Sequence, residues 1–362
     1  MVRKFVFLVP ALSQPRCIKR IVSIHKMGYP CDVYGYKRGK YDVNVYPTEI
    51  SVNILDSIKD GDYIRKAIKG WKDLSKVVSS NKNENIAYYA FGFFQAFVCA
   101  VRGVKFIYEI SDIFYAYPRL NKIKWLLKII DKLLIRKSSL TVMTSGGFQE
   151  FFNVKYDKIL LVPNKVSDRL TTIPRKALSG GVEHLRFGFV GSIKYESIYR
   201  FAETIGEYYP NYRFDFFGSA VDEEKMRVDE IVSRYNNVLY HGVYKNPEDL
   251  EGIYSIIDVV VACYDVNSEN ERIAEPNKLY ESLYFCKPII VSDGIYLARR
   301  VKELECGYTI DASSKENIRL LIKKMSDTEL ISISKRELDI PANDIVNDTT
   351  GLANAIKKYV YN

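Results

Sequence analysis

The residues best placed to do chemistry stand together at Glu275-Pro276-Asn277-Lys278-Leu279-Tyr280-Glu281, followed by Ser282 to Pro288 and the apolar run Ile289-Ile290-Val291. A polar loop with Pro at the first-turn position opens a helix, and Lys287-Pro288 stops it. The free backbone amides of such a helix start attract an anion. Lys278 adds a point charge beside those amides, and Glu281, one turn on, points the same way and can accept hydrogen bonds from a diol. Phosphate together with sugar hydroxyls suggests a nucleotide-sugar.

The elements that must hold this stretch follow from length and alternation. At 362 residues the chain exceeds one ordinary core and fits two domains. Apolar runs at 5–10, 31–36, 85–91, 106–110, 140–143 and 159–162 alternate with helical patterns, one of them over 57–79. The same alternation returns with strands at 185–190, 212–217, 238–242, 259–263, 289–292 and 308–310. Each series predicts a doubly wound parallel sheet of the α/β class. Residues 171–184, rich in Pro, Gly and Ser, are expected to link domain 1–170 to domain 185–342, with a last helix over 343–362.

In open parallel sheets, ligands bind beyond the carboxyl ends of strands. Gly191-Ser192, Gly218-Ser219 and His241-Gly242 lie at three such ends. A glycine after a strand is usually only a turn, but in this order, followed by residues 275–281, the three turns point to one site. Ser13 and Gln14, in the loop after the first strand, are the corresponding candidates in the first domain.

Composition narrows the function classes. Hydrophobic residues at 47% and charged residues at 27% are ordinary for a globular protein. No apolar run approaches the roughly 20 residues of a membrane span, and 5–9 is too short for a signal core, so a cytoplasmic location is expected. Six scattered cysteines without a CxxC pair, and three histidines, predict reduced thiols and no structural metal. The net charge of +9 is uneven: residues 1–170 carry 29 basic against 14 acidic side chains, the remainder 24 against 30. The basic half is suited to solubility or to an anionic surface, membrane or nucleic acid. No nucleic-acid module is recognisable, so nucleic acid is not an expected partner.

Residues 121–137 (NKIKWLLKIIDKLLIRK) combine basic positions every four residues with Trp125 and an apolar remainder. That pattern suits an interfacial helix, and also a helix packed on its sheet with a solvated lysine stripe that still touches headgroups. The second arrangement is the expected one, with Lys124, Trp125, Lys128 and Lys132 facing the membrane.

The order FGFVGS, FDFFGS, VLYHGV, IYSIIDVVVACY and EPNKLYESLYFCKPIIVSD resembles the donor domain of retaining family-four glycosyltransferases of surface polysaccharide synthesis. FIYEISDIFYAYP, LTVMTSGGF and LVPNKV resemble, more faintly, the family's first domain. The resemblance implies the GT-B fold: two Rossmann-like domains facing across a cleft, with a C-terminal helix crossing back to the first. It implies transfer of a sugar from a nucleotide-diphosphate sugar to a hydroxyl of a glycan acceptor, lipid-linked, with retention and without metal or other cofactor. The pathway would make capsular, exo- or lipopolysaccharide, at the inner face of the membrane.

Carried over by residue, Glu281 matches the acid that binds the ribose, and Asn277, Lys278 and Leu279 the amides that hold diphosphate and sugar. Gly191, Ser192 and Lys194 match the loop under the phosphates, with Gly218, Ser219, His241 and Gly242 completing the donor site. Asp112 matches the acid near the sugar; with Lys194, Lys278 and Glu275 it forms the catalytic set. Departures stand at Ile273, where the family has its first glutamate, so that Glu275 or Glu271 substitutes, and at Ser111, where it has histidine. The basic pair after Gly191 is reduced to Lys194, with Arg200 distant. A nucleotide-sugar epimerase or a non-catalytic nucleotide-sugar-binding partner are the alternatives.

Overall fold

The computed structural model describes residues 4–37, 46–57, 63–81, 85–116, 118–179 and 182–361. The predicted helix start at 58–62 lies outside them. The chain divides into two compact units, 1–163 with 349–362, and 164–348.

The first unit runs β1 (Lys4–Val9), α1 (Pro15–Lys26), β2 (Cys31–Lys37), β3 (Ser51–Ser57), α2 (Tyr63–Ser80), β4 (Ile86–Phe91), α3 (Phe93–Arg102), β5 (Phe106–Ile110), α4 (Lys124–Lys137), β6 (Leu140–Met143), α5 (Gly146–Phe152) and β7 (Ile159–Leu161). Its strands form one parallel sheet in the order β3-β2-β1-β4-β5-β6-β7. Phe5 pairs with Cys31 on one side and Ala87 on the other. β1, β4, β5 and β6 read as nearly continuous apolar runs because helices cover both faces. β3 and α5 were not expected from the sequence, since β3 is half exposed and α5 is only two turns long.

The second unit runs β8 (Arg186–Val190), α6 (Glu196–Tyr208), β9 (Arg213–Phe217), α7 (Asp222–Arg234), β10 (Val238–Tyr240), α8 (Leu250–Ile256), β11 (Val259–Ala262), α9 (Glu269–Ile273), α10 (Asn277–Phe285), β12 (Ile289–Ser292), α11 (Tyr296–Leu304), β13 (Gly307–Ile310), α12 (Lys315–Lys324), α13 (Asp327–Asp339) and α14 (Ala342–Ile345). Its parallel sheet has the order β10-β9-β8-β11-β12-β13, with Phe187 between Phe214 and Val259. Both orders reverse direction beside the first strand, which places a ligand crevice at the carboxyl ends there.

Two boundaries differ from expectation. Residues 171–179 and 182–184, expected as part of a linker, fall within the second unit. Arg175 donates to the carbonyls of Leu283 (3.1 Å), Ile340 (2.6 Å), Tyr284 (3.4 Å) and Glu337, so its guanidinium ties this segment to α10 and α13. The last stretch is also not one helix. α14 ends at Ile345, Asn347 donates to the Val166 carbonyl at 2.9 Å, and α15 (Thr350–Val360) follows. Leu352, Ile356 and Val360 of α15 join the core of Phe5, Phe7, Ile21 and Ile24, which returns the C-terminus to the first unit.

Candidate functional site

In the second unit the three glycine turns form a hydrogen-bonded step across adjacent strand ends. Gly191 N donates to Phe217 O (2.8 Å), Ile193 N to Ser219 O (2.8 Å), and Gly218 N to Gly242 O (2.7 Å). Gly218 has φ 137°, and a β-carbon there would lie 1.7 Å from the Gly191 carbonyl oxygen, so only glycine lets these turns close up. Ser192 and Lys194 are exposed at the rim, Lys194 with its ammonium 5.2 Å from the Tyr195 ring. His241 stacks on Phe217 with ring centroids 4.3 Å apart, and its Nε2 lies 2.6 Å from the buried Asp215 carboxylate, which Arg213 also binds at 2.8 Å.

α10 starts beside this step. Its N-cap is Pro276, one residue earlier than the first-turn position expected, and it makes no side-chain cap. Leu279 N already donates to Pro276 O (3.2 Å), and the Leu279 side chain is in the core. The Asn277 and Lys278 amides are therefore the ones at the helix end, where the helix dipole favours an anion. Lys278 runs inward beneath Gly191: a β-carbon on that glycine would sit 3.8 Å from Lys278 Cε. Lys278 is 5% exposed, and its ammonium donates to Glu281 Oε2 (2.6 Å) and Tyr244 Oη (3.1 Å). Burial alone would lower its pKa, but Glu281 and Tyr244 outweigh that and hold it above the usual lysine value.

Glu281, 2% exposed, also accepts from Tyr254 Oη (2.8 Å), Asn246 Nδ2 (3.2 Å) and the side-chain Nδ2 of Asn277. Sequence reasoning missed Tyr244, Asn246 and Tyr254. They lie 27 to 37 residues before Glu281, and no local periodicity marks a side chain for a partner on another helix.

The structure does not bring Glu275 to this corner. Its carboxylate takes a hydrogen bond from Tyr280 and lies 3.6 Å from Arg300, on a different side of α10 from Lys278 and Glu281. Burial raises its pKa against the opposing pull of Tyr280 and Arg300. Glu271 instead has a buried Oε2 with no hydrogen-bond partner. Among the described residues no three His, Cys, Asp or Glu side chains are grouped to hold a metal ion.

In the first unit Asp112 is exposed just past β5, and Ser13 and Gln14 are half-buried before α1, where Gln14 Oε1 accepts from Cys17 Sγ at 3.4 Å. α4 is oriented otherwise than expected. Asp131, Leu134 and Ile135 face the core, while Trp125 (66% exposed), Leu126 (43%), Ile129 (49%) and Leu133 (50%) face outward. Lys124, Lys128 and Lys132 are half-buried along one flank, Lys128 with its ammonium 3.7 Å from the Phe151 ring. The outward face is apolar with a basic border, rather than a lysine stripe. No helix among the described residues is long and apolar enough to cross a membrane.

No family model and no curated protein sequence matches the chain. Solved structures do. Sucrose-phosphate synthase from Thermosynechococcus elongatus is 13% identical, with 99% of this chain and 98% of that one covered and a TM-score of 0.73. Anabaena HepE in complex with UDP is 15% identical over 98% and 99% of the two chains, with a TM-score of 0.72. WaaG, a glycosyltransferase involved in lipopolysaccharide biosynthesis, is 12% identical over 98% and 99%, with a TM-score of 0.66. The chain therefore has the α/β fold of two Rossmann-like domains found in these GT-B proteins.

Proposed function

We propose that the protein is a glycosyltransferase that moves a sugar from a nucleotide-diphosphate sugar to a hydroxyl of a lipid-linked glycan acceptor, with retention, in capsular, exo- or lipopolysaccharide synthesis. The observation that carries this reading is the corner made by the uncapped start of α10, the buried Lys278 and the step of Gly191, Gly218 and Gly242. A diphosphate fits it by charge and by close backbone approach. Neighbours of the same fold that hold UDP or UDP-glucose support the donor class.

In the reaction, the Asn277 and Lys278 amides, the Lys278 ammonium and Lys194 stabilise charge on the leaving diphosphate. A diphosphate oxygen takes the proton of the attacking hydroxyl, so no protein carboxylate nucleophile is required. Glu271, whose Oε2 has no hydrogen-bond partner, is the alternative to Glu275 for accepting from the sugar. Asp112 keeps its catalytic role, and Ser13 and Gln14 bind the acceptor. Outward Trp125, Leu126, Ile129 and Leu133, bordered by Lys128, Lys132, Arg136 and Lys137, fit an anionic membrane surface and support a location at its inner face.

A thermal-shift panel of UDP-, GDP- and dTDP-sugars tests the donor. A ligand at 100 times its Kd stabilises by roughly 2.7 kcal/mol, and no response to any member would refute the reading. Transfer should survive EDTA; activity lost and restored by Mg²⁺ or Mn²⁺ would remove metal independence.

A further inference from the structure

In the first unit two helices start side by side without caps. β1 and β4 are neighbours, Leu8 opposite Ala90, and α1 and α3 follow them. Neither N-cap, Gln14 or Gly92, makes a side-chain cap. The first intrahelical bonds run from Ile18 N to Gln14 O (3.1 Å) and from Ala96 N to Gly92 O (3.2 Å), so the amides of Arg16, Cys17, Phe94 and Gln95 stand ahead of them. Gly92 turns at φ 98°, and a β-carbon there would meet only Gln95 Oε1, at 3.6 Å. Gln95 is 6% exposed, and among the described residues its carboxamide, folded over this turn, has no hydrogen-bond partner.

Beneath the turns, two guanidiniums share one carboxylate. Glu109 stands opposite Phe91, the last residue of β4, and is fully buried. Its Oε2 accepts from Arg20 Nε (3.0 Å) and Tyr89 Oη (2.5 Å). Arg16 Nε is buried 3.6 Å from Glu109 Oε1, and neither atom has a hydrogen bond. One positive charge is therefore in excess, and it falls to Arg16, whose side chain is 22% exposed against 5% for Arg20. A largely buried charge without its own counter-ion is unfavourable, and an anion at the crevice removes that cost.

We propose that this crevice is a phosphate site for the acceptor, in which the Arg16 guanidinium, the Gln95 carboxamide and the two uncapped helix starts hold the oxygens of a phosphate or diphosphate ester. Charge-assisted bonds from a guanidinium and from helix-start amides suit that group. The inference rests on the acceptor reading above and deepens it: the acceptor carries its phosphate close to the reacting hydroxyl. Asp112 follows β5, which lies next to β4, so β1 and β5 are two strand spacings apart, roughly 10 Å. Phosphate and hydroxyl are then separated by a short glycan, and the acceptor is the phosphate end of a chain rather than its far tip. A polyprenyl phosphate and a soluble sugar phosphate share this chemistry.

The test is calorimetry of farnesyl phosphate and glycerol 1-phosphate, with farnesol and glycerol as uncharged controls and UDP and GDP as donor-site probes, on wild type, Arg16→Gln, Gln95→Met and Lys278→Met. Wild type should bind a phosphate probe more tightly than its alcohol. Arg16→Gln should weaken that binding about tenfold or more, the value of one charge-assisted contact, and Gln95→Met several-fold, with nucleotide affinity held within about twofold in both. Lys278→Met should do the reverse. Arg20 still neutralises Glu109 in Arg16→Gln, so its thermal midpoint should hold or rise. Farnesyl phosphate bound far more tightly than glycerol 1-phosphate supports the site with a lipid-linked acceptor, and equal affinities support it with a soluble one. Wild type that binds no phosphate probe, or binds the alcohol as tightly, overturns the inference. Phosphate affinity kept in Arg16→Gln and Gln95→Met but lost in Lys278→Met also overturns it, since the probe then sits in the donor site. If Arg16→Gln does not fold, Gln95→Met decides: weaker phosphate with intact nucleotide affinity supports the inference, and unchanged phosphate affinity overturns it. Wild type that binds phosphate as expected but neither nucleotide refutes the donor site and leaves this one standing.

Discussion

Serine at Trp125, Ile129 and Leu133 together should abolish the salt-resistant part of binding to anionic vesicles without unfolding the protein. The three side chains are 66%, 49% and 50% exposed, so about half or more of each is free to enter a lipid interface. Fully burying an apolar side chain of this size is worth roughly 1.5–3 kcal/mol, and the exposed shares sum to about 3.5 kcal/mol. At 1.4 kcal/mol per tenfold, that is a loss of two orders of magnitude or more in partitioning. The basic border contributes separately, about 1 kcal/mol per near-surface Lys or Arg, and weakens with salt. Flotation with vesicles of 30% phosphatidylglycerol, at low and high salt, separates the two contributions. The triple variant should lose the salt-resistant part while staying folded, with a lowered thermal midpoint because the remaining third to half of each side chain packs on the protein. Unchanged flotation of the triple variant would refute the assignment, and so would a concentration-dependent dimer that the variant abolishes, since a second copy would then cover the face.

Gly218→Ala places a β-carbon against the Gly191 carbonyl at a φ of 137° and should cost about 2 kcal/mol or more, removing the thermal response to nucleotide. Gly252→Ala in α8, with open space around it, should instead stabilise by roughly 0.5–1 kcal/mol and leave that response intact. Asp131 is buried on α4, where its carboxylate accepts from Tyr108 (2.6 Å) and Tyr115 (2.9 Å); burial outweighs these bonds and pushes its pKa from 3.8 up to about 7. The folded state thus keeps a proton that the unfolded chain releases near pH 4, so stability falls as pH rises from about 4 to 7 and is level above. Up to about 4 kcal/mol is at stake. Denaturant titrations across that range should show Asp131→Asn flattening the slope, and an unaltered slope would assign the pH dependence elsewhere.

The alternation of strands and helices, the glycines at strand ends and the charge difference between the halves were all legible along the chain, because each is a local pattern of spacing or composition. The start of α10 was legible to within one residue for the same reason. Tertiary structure alone decided which groups meet. Periodicity marked α4 as amphipathic but could not say which face its neighbours cover, and packing turned Leu134 and Ile135 inward while leaving Trp125 and Ile129 out. Residues 171–184 have a linker's composition, yet the Arg175 guanidinium finds four carbonyls on α10 and at the end of α13 and ties its part of that stretch to the second unit. Glu281 was visible as an acid one turn from Lys278. Its engagement by Asn246 and Tyr254 was not, because hydrogen-bond partners many residues apart are set by the crossing of helices and turns.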